Sequence, residues 1–508
     1  MVARINTVSF QGIDVQPVDV QVQISNGMPA FTIVGLPDKA VAESKERVRA
    51  ALHALGIALP PKRLTVNLAP ADLAKEGSHY DLPIALGLLA AMEIVPGGEL
   101  ENAVILGELS LDGSIRQVAG ILPAALHASA NDNSLICPAA CGAEAAWADG
   151  IDILAPQDLL QLINHIKGTQ VLSAPVPSLT PPQQQAGCWP DMAQVKGQET
   201  ARRALEIAAA GQHNLLLSGP PGSGKSMLAR CLPGILPPLS PSEALEVSMI
   251  HSLSGTLPVG GLLAARPYRD PHHSASLPAL VGGGQRARPG EIPLAHHGVL
   301  FLDELPEFSR ATLESLRQPL ETGTVAIARA NHHVTYPARF QLVAAMNPCR
   351  CGYLGDPEQE CTRAPRCGQD YQARLSGPLL DRFDLRVDVS AVSITDLAQQ
   401  GDGESSADVA ARVQAARMIQ QERYSGETDE MPAPANAALP PAAIDRVLAL
   451  SPENRDFITD AAARLKLSAR AYHRLLRVAR TIADLDGAAC VEKNHIAESL
   501  SYRPLRNT

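Results

Sequence analysis

Aromatic residues are scarce in this 508-residue chain: phenylalanine, tryptophan and tyrosine together make up 3 % of it. Rows of stacking rings are what a protein needs to hold single strands by their bases, so the composition argues against that mode. Positive charge is also in deficit. With 43 basic and 53 acidic residues the formal net charge is −10, and no global field draws the chain to a polyanion. Contact with nucleic acid would need a locally basic groove or a central pore. Long apolar runs are missing as well: Leu82 to Ala91 is too short to span a bilayer. The opening MVARINTVSFQGIDV has no charged flank before an apolar core, which predicts no signal peptide. The expected home is a bacterial-type cytoplasm, with no membrane partner. There the nine cysteines would be reduced or metal-bound rather than disulfide-paired. No internal repeat is present.

Glycine, by contrast, is concentrated where it can act. Gly219, Pro220, Pro221, Gly222, Ser223, Gly224, Lys225 and Ser226 fit the pattern GxxxxGK followed by Ser or Thr. Leu215–Ser218 before it reads as a short buried strand, and Met227–Leu232 after it as the opening of a helix. The glycines between them turn the chain so that successive amide N–H groups face one point, which suits a phosphate. Lys225 would reach the β- and γ-phosphates of ATP, and the Ser226 hydroxyl would bind Mg²⁺. The bland alternative is a chance glycine-rich turn. A second motif weighs against it. Val299, Leu300, Phe301 and Leu302 form an apolar run, as in a parallel strand buried on both faces, that ends in Asp303 and Glu304. Carboxylates there emerge at the strand's C-terminal edge, where open α/β sheets bind ligands. Asp303 would hold the Mg²⁺ hydration shell, and Glu304 would orient and polarise the attacking water.

Length suggests roughly three domains. Residues 1–168 read as one α/β domain: Val18, Val20, Val22 and Ile24 alternate as a half-buried strand, Phe31–Val34 gives another, and Leu64, Val66 and Leu68 a third. Val41, Val48, Leu52 and Leu55 fall at helical spacing, Asp81–Met92 reads as a buried helix, and Ala103–Leu106 as a further strand. A Pro/Gln-rich linker over 169–190 follows. Residues 191–395 form the nucleotide-binding α/β domain, with a Cys-rich insert at 349–367. An acidic, Pro-rich connection over 396–441 leads to a helical domain at 442–508.

With both motifs placed, the chain resembles the AAA+ ATPases, specifically their magnesium-chelatase-like branch, and over essentially its whole length the ComM/YifB family of bacterial competence proteins. The resemblance is carried by VKGQ at 195–198, RPYRDPHHSAS at 266–276, VGGG at 281–284, PGEIPLAHHGVLFLDELPEF at 289–308, YPARFQLVAAMNP at 336–348, LSGPLLDRFDL at 375–385 and LSARAYHRLLRVARTIADL at 467–485. It implies an α/β fold with an AAA+ P-loop NTPase core and a helical lid. Asn347 then looks like the sensor-1 residue, able to bond the attacking water or the γ-phosphate without adding charge; a turn-capping Asn is the alternative. Arg382 resembles the arginine finger that reaches a neighbour's γ-phosphate, against an ion-paired Arg beside Asp381 and Asp384. Arg470 looks like sensor-2, coupling phosphate loss to movement of the last domain. Arg474 and Arg477 share its helix face, with a solvated face as the alternative. The region between the two motifs that holds Pro271, His272, His273 and the run VGGGQRARPGE corresponds to the family's helix-2 insert, a pore-facing loop, where Arg286 and Arg288 would suit phosphate-backbone contact, with a flexible surface loop as the alternative.

Three pairs of adjacent histidines, His272 with His273, His296 with His297 and His332 with His333, invite a metal reading. Neighbours on a strand point to opposite faces, so structural roles are expected. Cys349, Cys351, Cys361 and Cys367 instead offer four thiolates on a Gly/Pro-rich loop, a candidate structural Zn²⁺ site with non-standard spacing. The N-terminal domain resembles the Lon-protease-like (ribosomal S5 domain 2-like) fold. At the protease nucleophile's place stands His79, within Lys75-Glu76-Gly77-Ser78-His79-Tyr80-Asp81, and Leu122 stands where a lysine is expected. Acyl chemistry has no engine there unless Ser78 is a shifted nucleophile. Lys62, Arg63 and Lys75 are candidate DNA or partner contacts. The expectation is a ring, hexameric as the resemblance implies, that hydrolyses ATP and promotes branch migration of DNA during natural transformation. A metal-chelatase motor subunit and an ATP-gated binding scaffold or degenerate protease stay open.

Overall fold

The computed structural model describes residues 2–177, 189–258, 261–283, 287–329, 332–354, 363–391, 403–425, 435–448, 450–465 and 467–503. The N-terminal domain is built on a seven-stranded mixed sheet. From one edge its strands are Ala30–Val34, Arg63–Ala69, Asp14–Ser25, Val2–Gln11, Ala103–Ile105, Ser134–Ile136 and Ile153–Leu154. Period-two alternation sorts its residues onto two cores. Ile5, Ala103, Ile105 and Ile136 pack with the helices Lys39–Ala54 and Asp81–Ala91 on one face. Val8, Val104 and Leu135 pack with the helix Ile121–Ala130 on the other.

The second domain holds five parallel strands in the order Tyr268–Arg269, Val299–Leu302, Gln341–Met346, Leu215–Ser218, Leu385–Asp388. Each strand with a βα loop at its C-terminal end thereby delivers that loop to one edge of the sheet. The apolar runs are buried on both faces: Val299, Phe301, Val343 and Ala345 join one core with the helices Glu199–Gly211 and Lys225–Ile235, while Leu300, Leu302, Leu342 and Ala344 join another. The last domain is helical, with Pro441–Leu448, Pro452–Arg464, Ala469–Leu485 and Lys493–Ser501 around their own core.

The region read as a connection contains a 20-residue helix, Ser406–Ser425. Its Val409, Val413 and Ala416 are buried in the nucleotide-binding core, so it is an integral part of that domain. The N-terminal domain and the second domain touch through buried polar groups. Glu144 Oε1 accepts from Ser252 Oγ at 2.6 Å and from Leu122 N at 3.0 Å, and Gly120 N donates to Ser252 O at 3.1 Å. A Cβ placed on Gly12 would lie 2.8 Å from Thr335 O, so the first hairpin's turn lies flush against the strand His332–Pro337.

Candidate nucleotide-binding site

The phosphate loop runs between the strand Leu215–Ser218 and the helix Lys225–Ile235. Gly222 and Gly224 take positive φ, 75° and 89°, and a Cβ on either would project into open space. The loop therefore leaves a bare cradle at a helix N-terminus, which fits a phosphate. Gly219 needs its missing side chain for a different reason: a Cβ there would sit 2.1 Å from Val389 O. Lys225 is buried, and its Nζ donates to Gly219 O at 2.8 Å, Pro220 O at 2.7 Å and Asn347 Oδ1 at 3.2 Å. Burial pushes its pKa below the ordinary lysine value, and the nearby Asp303 charge opposes that shift.

Asp303 and Glu304 leave the Val299–Leu302 strand beside this loop. Ser226 Oγ donates to Asp303 Oδ2 at 2.7 Å, bringing together the two residues expected to hold Mg²⁺. Hydroxyl and carboxylate are hard oxygen donors, the chemistry that Mg²⁺ prefers. Glu304 adopts φ 52° and turns its carboxylate toward His273, whose Nδ1 lies 3.2 Å from Glu304 Oε2. His273 was not singled out for a role by sequence reasoning. It entered the sequence analysis only as one of the paired histidines and as part of the RPYRDPHHSAS block, which contains the neighbouring strand Tyr268–Arg269. Asn347 ends the strand Gln341–Met346 and meets Lys225, so loop, acidic pair and amide form one cluster.

Arg382 and Arg470 form another. Arg382 is only 3 % exposed, its Nη1 donates to Pro378 O at 3.3 Å, and its Nη2 is bound by Glu321. Glu321 Oε1 is also 3.8 Å from Arg470 Nη2. Burial, and then the charges of Arg474, Arg470 and Arg317, depress the Arg382 pKa against the pull of Glu321. Nitrogens on Arg317, Arg382, Arg474 and Arg477 are buried with no hydrogen-bond partner, so donors outnumber acceptors at this edge. Arg470 thus shares Glu321 with Arg382. Arg474 is half-buried with Nε 3.5 Å from Asp384 Oδ1, and Arg477 is half-buried too, so the fully solvated face does not hold. Glu321 carried no sequence signal.

Three family profiles match the chain: magnesium chelatase, subunit ChlI, over residues 191–397; subunit ChlI of Mg-chelatase over 20–141; and the ChlI C-terminal region over 403–503. The YifB protein of Salmonella typhimurium is 44 % identical over 505 residues, 99 % of this chain and 97 % of that protein. Competence protein ComM of Haemophilus influenzae is 44 % identical over 501 residues, 97 % of this chain and 96 % of that protein. The chain belongs to the ComM/YifB family. Membership places it among magnesium-chelatase-like AAA+ ATPases. The 38 kDa magnesium-chelatase subunit of Rhodobacter capsulatus is more distant, 27 % identical over 38 % of this chain and 54 % of that protein.

Elsewhere in this ComM/YifB-family chain, the Sγ atoms of Cys349, Cys351 and Cys367 lie within 4.8 Å of one another and could hold a metal. Cys361, expected as a fourth ligand, lies outside the described residues, as does Arg286. Arg288 is exposed on the short strand Arg288–Pro289. The histidine expectation needs correction. His296 and His297 occupy a turn, not a strand, because His297 takes φ 54°. Both rings therefore face Glu246, whose Oε2 lies 3.1 Å from His296 Nε2 and 2.9 Å from His297 Nε2. A metal is still disfavoured there. His296 Nδ1 accepts from Arg339 N at 2.9 Å, which fixes the proton on Nε2, the atom that would have to coordinate. His272 and His273 also lie off any strand, with ring centroids 4.1 Å apart.

In the N-terminal domain, Lys62 and Arg63 are exposed, but Lys75 is fully buried and its Nζ is bound by Pro70 O. Lys75 is thus withdrawn as a DNA contact. Ser78 Oγ donates to Glu108, and His79 Nε2 is 2.9 Å from Val8 O. The Ser78 hydroxyl proton is thus directed to a carboxylate, and that His79 ring nitrogen to a backbone carbonyl. Among the described residues no helix is long and apolar enough to cross a membrane.

Proposed function

We propose that the chain is a ring-forming, ATP-dependent DNA motor that promotes branch migration of recombination intermediates, as in the integration of DNA during natural transformation. The observation that carries the ring is the split of the site's cations. Lys225 meets Asn347 and the loop carbonyls, whereas Arg382 and Arg470 meet at Glu321. A γ-phosphate held by one chain's loop needs cations beyond Lys225, and an arginine-rich edge with unpaired buried donors supplies them to a neighbour.

Within such an interface the roles follow from chemistry. Ser226 and Asp303 would hold Mg²⁺, which neutralises charge on the β- and γ-phosphates when bound. Glu304 accepts the proton of the water that attacks the γ-phosphorus. The bond to the β–γ bridging oxygen breaks, leaving ADP and phosphate. Asn347 orients that water, Lys225 screens the phosphates, and the partner's arginines stabilise the charge that develops. A hexamer is the closed ring this reading adopts, in the cytoplasm.

DNA as the track is supported by the name of the Haemophilus influenzae relative, a competence protein, aligned over 97 % of this chain. Exposed Arg288 on the insert suits backbone contact. The N-terminal domain is read as a Lon-protease-like fold without protease chemistry, contacting DNA or a partner through Lys62 and Arg63. The Cys349, Cys351 and Cys367 cluster is read as a zinc site. The chelatase-subunit reading draws on the three chelatase-subunit profiles and on a relative matching 38 % of the chain; capture of a large porphyrin-binding subunit would favour it.

The test is a labelled three- or four-way DNA junction incubated with purified protein and ATP. Wild type should move the branch point and hydrolyse ATP faster with DNA. Lys225→Ala and Glu304→Gln should both abolish movement, the second with ATP still bound. ATP hydrolysis that neither responds to DNA nor moves the junction would refute the motor.

A further inference from the structure

Cys349 stands two residues after Asn347, and the loop that follows folds back over the phosphate loop. A Cβ placed on Gly352 would lie 2.5 Å from Pro221 Cδ, so the backbone after Cys351 is packed directly on the phosphate loop. Gly352 also takes φ 89°, a conformation that glycine adopts freely and other residues resist. The third cysteine is anchored in the same way. A Cβ on Gly368, next to Cys367, would lie 3.3 Å from Pro348 O and 2.5 Å from Leu354 Cδ2. Gln372 Nε2 donates to Pro348 O at 3.1 Å. Pro348 joins Cys349 to Asn347, and Asn347 Oδ1 accepts from Lys225.

The sulfurs themselves are arranged for a thiophilic ion. Cys349 Sγ and Cys351 Sγ are 3.0 Å apart, and all three lie within 4.8 Å of one another. Thiolates on one tetrahedral Zn²⁺, with Zn–S of about 2.3 Å, stand about 3.8 Å apart, so a small spreading of the first pair completes the geometry. The Gly352 N–H donates to Cys349 O at 3.0 Å, which closes the turn that brings the first two cysteines together. Three protein sulfurs leave one position of the tetrahedron to a further donor.

We propose that Cys349, Cys351 and Cys367 bind one Zn²⁺-class ion, and that the loaded site braces the phosphate loop through Gly352 on Pro221 and the Asn347 amide through Pro348, so that metal occupancy sets ATP affinity. The coupling rests on ATP binding at Lys225. It goes beyond a structural metal, because a clamp between two loops is reciprocal: whatever factor the ion adds to ATP affinity, ATP adds to the ion's.

The experiment uses full-length protein purified under thiol reductant without chelator. Inductively coupled plasma mass spectrometry should find about one zinc per chain, and Cys351→Ser and Cys367→Ser should each lose it. Chelated wild type should bind a fluorescent, slowly hydrolysed ATP analogue about tenfold more weakly than the zinc-restored protein, within the 5- to 150-fold range of such couplings. That analogue should slow zinc transfer to a chromogenic chelator. Gly352→Ala serves if the cysteine variants do not fold: it keeps the three sulfurs and should retain zinc, yet weaken the analogue. Less than about half an equivalent of zinc in folded wild type overturns the site, as does a Cys349–Cys351 disulfide found in its place. Equal analogue affinity with and without zinc overturns the coupling alone. Zinc-loaded wild type that binds no ATP analogue would instead sink the proposed ATPase.

Discussion

If the site is shared, two inactive chains should repair each other. Arg382→Ala removes the buried guanidinium bound by Glu321 and leaves Lys225, Asp303 and Asn347 untouched, since none of their bonds involves Arg382. Loss of an arginine finger costs about 10³- to 10⁵-fold in kcat, or about 4–7 kcal/mol of transition-state stabilisation at 1.36 kcal/mol per decade. Lys225→Ala removes the opposite half. In rings assembled from an equal mixture, about one quarter of interfaces pair an intact loop with an intact arginine edge, because each side is drawn independently. ATPase activity should therefore rise from near zero to about a quarter of wild type. Mixing Lys225→Ala with Glu304→Gln, both on the phosphate side, should give no recovery. Recovery also requires that the Arg382→Ala chain be folded, since it must supply the working loop.

Arg470 sharpens the experiment. Its contact is Glu321, the same carboxylate that binds Arg382, so an Arg470→Ala chain should also be rescued by Lys225→Ala. Were Arg470 serving its own chain's loop, both variants would damage one half-site and no interface would recover. Mixtures of Arg382→Ala and Lys225→Ala that stay at the level of the parents, in rings of confirmed assembly, would refute the shared site.

His273→Ala frees Glu304 from its 3.2 Å partner. Steady-state kinetics should show basal kcat raised with KM for ATP little changed, by no more than about tenfold, because both side chains are partly exposed and the pair is screened; a fall in kcat would show that His273 assists Glu304 rather than restrains it. His251 and His296 are each depressed from 6.5 to about 4 by burial, so the unfolded chain binds more protons than the fold between those values. Stability is fully present above pH 6.5 and falls as pH drops toward 4, by about 3 kcal/mol per histidine. Melting followed by circular dichroism from pH 7 to 4.5 should show a steep acid slope that His251→Gln reduces, and an unchanged slope would contradict the burial argument.

The sheet and the phosphate loop were legible because their signals are local. Val299–Leu302 announces a strand buried on both faces by having no polar residue, and Asp303 and Glu304 mark its end. The alternation of Val18, Val20 and Val22 fixes one face of a strand without any distant information. What escaped was long-range or depended on a single dihedral. The His273–Glu304 and Arg382–Glu321 pairs join residues that tertiary packing alone brings together. One left-handed residue, His297, turned a pair expected on opposite faces toward a single carboxylate. Lys75 could not be recognised as buried, because its backbone pairs with Leu36 and Asp38, far away in sequence. The helix Ser406–Ser425 did carry a signal, with buried Val409, Val413, Ala416, Gln420 and Tyr424 three or four residues apart. Its flanks of glycine, proline and acids drew the reading toward a linker.

Glu321 gains further weight from where its helix leads. It lies near the end of the helix Arg317–Thr322, and Gly323 then turns the chain into the hairpin Thr324–Arg329 and His332–Pro337. That hairpin is the surface on which Gly12 of the N-terminal domain lies flush. A phosphate that competes with Glu321 for Arg382 and Arg470 therefore acts on a carboxylate just before the hairpin on which the N-terminal domain rests. The chain passes from Glu321 through Gly323 into Thr324–Arg329, whose Ala326 pairs with Thr335, and Thr335 packs on Gly12. Glu321→Gln tests this end of the path. It weakens the grip on both arginines while keeping the helix. Hydrogen exchange in the Gln11–Asp14 turn should then lose its response to ATP, while the Gly120 and Leu122 amides, bonded to Ser252 O and Glu144 on a different part of the interface, should keep their protection. Unchanged nucleotide-dependent exchange at Gly12 in that variant would show that the arginine edge and the N-terminal domain move independently.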